Sequence, residues 1–146
     1  MVAATCTPDV LSPSVACIIA GQLGANKVMA FDFSAACSGF LYGLSMCRAL
    51  LAQDPEAKIL FVCTEALTRR VNWGDRSTCV LFGDAATACI LTTGANNVVA
   101  GLEDVVCHSD GAQRDLIVVG GGTRCQYGMG DTVGEDFFIT MQGRET

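Results

Sequence analysis

Apolar positions along this chain switch between short continuous runs and runs spaced three or four residues apart, and Ser, Pro, Gly or Asp marks each switch. Residues 1–7 read as an extended apolar segment. Ser12-Pro13 has the form of a helix N-cap followed by the N1 proline, and it opens an apolar helix through Leu23 that Gly24 closes. Residues 27–34 (KVMAFDFS) read as a buried strand, and residues 38–53 (SGFLYGLSMCRALLAQ) as a helix ended by Asp54-Pro55. Residues 58–64 (KILFVCT) are the next strand, completing a β-α-β unit whose central strands should run parallel. Beyond a polar loop from Arg69 to Ser77, the pattern predicts strands at 78–82 and 86–92 joined through Gly83-Asp84, and a further strand at 98–107. The last forty residues are Gly-rich, with strands expected at 116–119 and 137–141. The class is α/β, with three layers expected. Both ends read as cut, since Met141-Gln-Gly-Arg-Glu-Thr146 stops where a new element begins.

The chain has 146 residues, the size of one ordinary domain with a single core. With 51% hydrophobic and 16% charged residues and a mean hydropathy of +0.41, most of it should be buried. No stretch approaches the roughly 18 uninterrupted apolar residues of a membrane span, and the first residues lack the basic start of a signal peptide. The expectation is a cytoplasmic protein without membrane attachment. A net charge of −6 with only nine Lys and Arg leaves no broad basic surface for nucleic acid. The nine cysteines all lie at least ten residues apart, which fits neither zinc-ligand pairs nor a secreted disulfide framework. No metal site is expected, and most of these thiols should pack as small hydrophobes.

Ala35-Ala36-Cys37-Ser38-Gly39 is the exception. A nucleophile flanked by small residues, between a strand and a helix, has the layout of a nucleophile elbow. A thiol at the first turn of a helix meets unpaired N–H groups and the positive end of the dipole, which favour the thiolate. The same N–H groups can stabilise an oxyanion on a bound acyl carbonyl.

Three stretches, FDFSAACSGFLYGL around Cys37, DRSTCVLFGDAATACIL at 75–91 and TPDVLSPSVAC at 7–17, resemble β-ketoacyl-acyl carrier protein synthase III in the family's order. The resemblance implies a thiolase fold, of which this chain would be a partial N-terminal domain over residues 1–146, the N-terminal half: a mixed sheet with helices on both faces, the second half absent. It implies an acyltransferase of fatty-acid biosynthesis that holds an acyl-CoA primer as a thioester on Cys37 and condenses it with malonyl-acyl carrier protein. It implies a homodimer with acyl-CoA and acyl carrier protein as partners and no further cofactor. Arg76 matches the arginine at the nucleotide end of CoA, with Arg69 and Arg70 just upstream. Leu67 and Phe82 match apolar positions of the acyl and pantetheine tunnel, and Met141 and Gly143 resemble a segment along it. Ser12 stands where short-primer members often carry an aromatic ring. The His and Asn that assist decarboxylation in the family belong to the second half, so this chain alone should not condense.

Two alternatives stand beside this reading. One is a catalytically dead binding or dimerisation module, and the other a cysteine thioester hydrolase in which His108 would serve Cys37 as base. His108, in a His-Ser-Asp-Gly loop, otherwise reads as a solvated residue. Asp84 reads as a turn-capping residue, and Gly120-Gly121-Gly122 and the run at 128–134 miss the dinucleotide and P-loop spacings.

Overall fold

In the computed structural model, the described residues are 1–94, 100–122, 132 and 134–143. Cys125, most of the glycine run at 128–134 and the first two residues of the strand expected at 98–107 lie outside them. The chain forms two compact units, Met1–Glu65 with Ala85–Cys107, and Ala66–Asp84 with His108–Thr146.

The first unit is built on strands β1 (Val2–Ala4), β2 (Phe31–Phe33), β3 (Ile59–Ala66) and β4 (Asp84–Leu91), in the order β2-β1-β3-β4. β1 runs parallel to both neighbours, with Ala4 opposite Phe33 on one side and Cys63 on the other. Its alternate side chains serve opposite faces, as a strand buried on both sides requires. Val2 and Ala4 pack with Cys47, Leu51, Ile59 and Phe61, whereas Ala3 packs with Ala16 and Val62. Helix α2 (Gly39–Gln53) therefore covers one face and helix α1 (Val15–Gln22) the other, which gives the three layers expected.

Helix α2 buries Gly39, Gly43, Cys47 and Leu51, a stripe of four-residue spacing. Gly43 is where the helix meets the sheet most closely, since a Cβ there would lie 2.0 Å from Cζ of Phe61. That Phe61 ring stacks between Phe33 and Phe40, with centroids 6.4 and 5.9 Å away.

Helix α1 starts two residues later than Ser12-Pro13 predicts. Ser14 is its N-cap, accepting from the Cys17 N–H at 3.1 Å, and the Asp32 carboxylate on β2 accepts from Val15 N–H and Ala16 N–H at 2.5 and 2.8 Å. Those acceptors become available only at Ser14, and the cis Ser12–Pro13 peptide lies outside the helix. Gly24, at φ +66°, does close it. The strand expected at 27–34 shrinks to β2, because Lys27 turns to φ +57° and Val28 and Met29 face solvent.

The second unit contains the antiparallel hairpin of β5 (Ile117–Val119) and β6 (Ile139–Met141), a 3₁₀ turn at Leu67–Arg70 and the polar loop. The strand expected at 78–82 is a series of turns, because Asp75 captures this segment: its carboxylate accepts from Ser77 N–H, Ser77 Oγ and Thr78 Oγ1 at 2.9, 2.6 and 2.8 Å. Residues 100–107 likewise form no strand. Among the described residues, no helix is long and apolar enough to cross a membrane.

Candidate active site

Strands β1 and β2 end level with each other while β3 runs three residues further, and the chemistry-bearing residues lie at these carboxyl ends, where open α/β sheets place ligands. Beyond β1 come Thr5, Cys6 and Thr7. Beyond β2 come Ser34 to Ser38, and Glu65 lies near the end of β3. The ends are held by Thr5 N–H donating to Phe33 O at 3.1 Å and by Ala4 against Gly39, where an added Cβ would meet the alanine methyl at 3.2 Å.

Cys37 is the middle residue of a 3₁₀ turn, Ala36–Ser38, that joins β2 to α2, and its side chain is exposed. Ser38 N–H donates to Ala35 O at 3.1 Å, closing the turn. Ala36 adopts φ +44°, a left-handed conformation that costs a residue with a Cβ roughly 1–2 kcal/mol. Ser38 makes no side-chain capping bond to α2, and Gly39 N–H donates back to Ala36 O, so the helix follows the turn directly and sets the positive end of its dipole beside Cys37.

The other thiols occupy different environments. Burial pushes Cys47 up to about 11 and raises Cys63 and Cys89 as well. Cys6 is pushed up to about 12, first by burial and then by its hydrogen bond to Glu65 and that carboxylate's charge, with a smaller contribution from Cys37 nearby. Among the described thiols Cys47 alone is fully buried, Cys6, Cys63, Cys79, Cys89 and Cys107 are half-buried, and Cys17 on α1 is exposed like Cys37.

Glu65 was not legible as a site residue, since it reads as the polar end of an apolar strand. Its carboxylate gathers donors 58 and 59 positions earlier in the chain: Cys6 N–H at 2.9 Å, Cys6 Sγ at 3.3 Å and Thr7 Oγ1 at 2.6 Å. A lone acidic residue at the carboxyl end of KILFVCT was the available signal.

In the second unit, the loop that carries Arg76 is rigidified from within. Asn72 Oδ1 accepts from Gly74 N–H at 3.0 Å, and the Ser77 and Thr78 hydrogen bonds hold the Asp75 carboxyl below the usual carboxylate range. Thr78 is buried, whereas Arg76 and Arg69 are exposed. Arg70 leaves the basic cluster expected here, lying over the Phe137 ring at 4.1 Å. Asp84 accepts from Thr68 N–H and Oγ1 at 2.8 and 2.6 Å, which pins the turn bearing Leu67 and lowers the Asp84 carboxyl. Leu67, Phe82 and Met141 are half-buried, and Gly143 is exposed. Ser12, in the first unit, and His108, in the second, are also exposed.

The chain is 56% identical over 142 residues to the β-ketoacyl-[acyl-carrier-protein] synthase III of Nitratidesulfovibrio vulgaris strain Miyazaki F, a match spanning 97% of this chain and 42% of that protein. It is 40% identical to the synthase of the same name from Clostridium perfringens, spanning 99% and 44%. Among solved structures, 3-oxoacyl-(acyl carrier protein) synthase III from Pseudomonas aeruginosa PAO1 superposes with a TM-score of 0.85 at 33% identity, covering 99% of this chain and 43% of that one. The synthase from Thermus thermophilus gives 0.82 at 30%, again over 99% and 43%. The chain thus spans about two fifths of the length of these relatives, and its fold is the N-terminal half of their thiolase-like architecture. The model of the 3-oxoacyl-[acyl-carrier-protein] synthase III family matches residues 31–111, more than half of the chain and inclusive of Cys37, and the chain belongs to that family.

Proposed function

We propose that this chain is the acyl-accepting half of a condensing enzyme that initiates fatty-acid synthesis. The observation that carries this reading is Cys37 itself, an exposed thiol on a strained strand-to-helix turn at the carboxyl edge of parallel strands. The Cys37 thiolate attacks the carbonyl carbon of an acyl-CoA thioester. The oxyanion that forms is stabilised by the positive end of the α2 dipole, and its collapse expels CoA as its thiolate and leaves the acyl group on Cys37. Malonyl-acyl carrier protein then loses CO₂, its carbanion attacks the Cys37 thioester, and the Cys37 thiolate departs as the β-ketoacyl product forms.

Arg76 binds the nucleotide end of CoA, a role that suits a guanidinium on a loop held in place by Asp75 and Asn72. Leu67, Phe82, Met141 and Gly143 line the path of pantetheine and acyl chain, and Ser12 belongs to the acyl pocket of a homodimer. The His and Asn that assist decarboxylation lie in the second half of the family's fold.

The test is intact mass after incubation with a short acyl-CoA. We expect an acyl adduct that maps to Cys37 and disappears in Cys37→Ala, with no β-ketoacyl product from the 146 residues alone. Absence of the adduct would leave the reading without its central step.

A further inference from the structure

Two thiols follow the ends of neighbouring strands in the candidate site, and only one of them suits acyl transfer. Cys6 comes two residues after β1 and Cys37 four residues after β2, and β1 and β2 are paired in register through Ala4 and Phe33. From β3, on the other side of β1, Glu65 reaches back to the segment that follows β1. It accepts a backbone N–H, a thiol and a hydroxyl from two consecutive residues, and Thr5 Oγ1 adds a bond to Thr7 N–H at 3.1 Å.

We propose that Glu65 is a positioning residue: by binding Cys6 N–H, Cys6 Sγ–H and Thr7 Oγ–H together, its carboxylate fixes the segment after β1 beside Cys37 and holds the Cys6 thiol as a hydrogen-bond donor, so that acylation stays on Cys37. The role of Cys37 in this proposal rests on the acyltransferase reading, whereas the clasp itself rests on the three hydrogen bonds.

The chemistry follows from what each partner can donate. A thiol that donates to a carboxylate must keep its proton, and a carboxylate at 3.3 Å opposes a second negative charge on sulfur. Burial already favours the acid form of Cys6 and the Glu65 carboxylate adds to it, and a protonated thiol is a poor nucleophile. Among the described residues no carboxylate is bonded to Cys37, which is exposed on a turn that leads directly into α2. Without the clasp, an acyl group could pass to or start on Cys6, where the geometry built around Cys37 would not serve its condensation.

The experiment is peptide-mapped alkylation with limiting iodoacetamide at pH 8, in the full-length protein from the native gene. In the wild type, Cys6 should label at least about tenfold more slowly than Cys37, because burial and the Glu65 carboxylate keep the Cys6 thiol protonated whereas Cys37 is exposed. In Glu65→Gln, similar in shape but without the charge, that gap should narrow at least about threefold. Glu65→Asp, which keeps the charge but draws it back by one methylene, should fall between. Equal labelling of Cys6 and Cys37 in the wild type, or an unchanged ratio in folded Glu65→Gln, would overturn the proposal. If Glu65→Gln does not fold, the ratio in Glu65→Asp decides in the same way. Acyl-CoA is added separately: a failure of Cys37 to acylate would count against the acyltransferase reading, while the iodoacetamide ratio would still report on the clasp.

Discussion

A methyl group added at Gly43 would overlap the Phe61 ring, with Cζ only 2.0 Å from the new carbon. The ring is enclosed by Phe33 and Phe40 and is 1% exposed, so it has little room to move, and α2 must lift from the sheet instead. Gly43→Ala should cost about 1–3 kcal/mol, the range for overpacked cores, seen as a lower urea midpoint with an unchanged slope. Gly21→Ala, with nothing within 4 Å of the added carbon, is the control and should leave the midpoint unchanged or raised. The buried thiols add a pH dependence with a defined sign. Cys47 is raised by burial from 9.0 to about 11, so the folded chain retains the proton that the unfolded chain releases above 9.0. Its contribution to stability is complete below pH 9 and is lost as the pH climbs toward 11. Melting temperatures measured from pH 8 to 11 should fall, and less steeply in Cys47→Ala, which has no thiol to ionise. An equally steep fall in the variant would show that other groups control the alkaline limb.

At the scale of elements, the loop from Asn72 to Leu81 can be tested independently of the residue it presents. Asp75→Ala removes three hydrogen bonds to Ser77 and Thr78 while leaving Arg76 in place. If order in the loop serves CoA binding, Asp75→Ala should raise KM for acyl-CoA about threefold to tenfold, and Arg76→Ala about tenfold or more, with kcat changed less in both. Equal kinetics for wild type and Arg76→Ala would remove the arginine from the CoA site. This loop also shows where the sequence pattern stops being informative. Residues 78–82, Thr-Cys-Val-Leu-Phe, have strand composition, but local acceptors on Asp75 bind the segment into turns before any ladder can form. The strands and helices around β1 were legible because burial on two faces leaves a continuous apolar run, and because α2 repeats its small and apolar residues every four positions. Cys37 was legible because an elbow is a local motif. Glu65 was not, since its partners Cys6 and Thr7 are distant in sequence and meet it only through strand pairing. Asp32 is a similar case, a strand residue whose carboxylate caps a helix beginning 17 positions earlier.

For the molecule as a whole, β2 is the edge of its sheet, and an unpaired strand edge is the natural place for a second copy to join. Alongside it, a groove of Pro8, Val10, Leu11, Ser14, Phe31 and Phe33 is open to solvent in the single chain, and Leu11 is 95% exposed. We therefore expect a dimer at micromolar concentration by light scattering, shifted toward monomer by Leu11→Asp, which places a charge in that groove; a clean wild-type monomer would count against it. In such a dimer, the turn from Asp9 to Pro13 would reach toward the partner's acyl pocket, as the resemblance of this loop implies, and Ser12 would then help to set primer length. A hydroxymethyl group in place of an aromatic ring leaves space for several methylenes, each worth about 0.8 kcal/mol when buried. The neighbouring Leu11 opposes this, because a side chain so exposed in the single chain is free to turn into the vacant volume on assembly. The two effects are separated by kcat/KM for acetyl-, butyryl-, octanoyl- and lauroyl-CoA in the full-length protein, Ser12→Phe and Leu11→Ala. If Ser12 sets the pocket, the wild type prefers primers longer than acetyl, Ser12→Phe returns the preference to acetyl, and Leu11→Ala changes little. If Leu11 fills the space, Leu11→Ala alone extends the range. A wild-type preference for acetyl-CoA that neither substitution alters would sink the assignment of this loop to the acyl pocket.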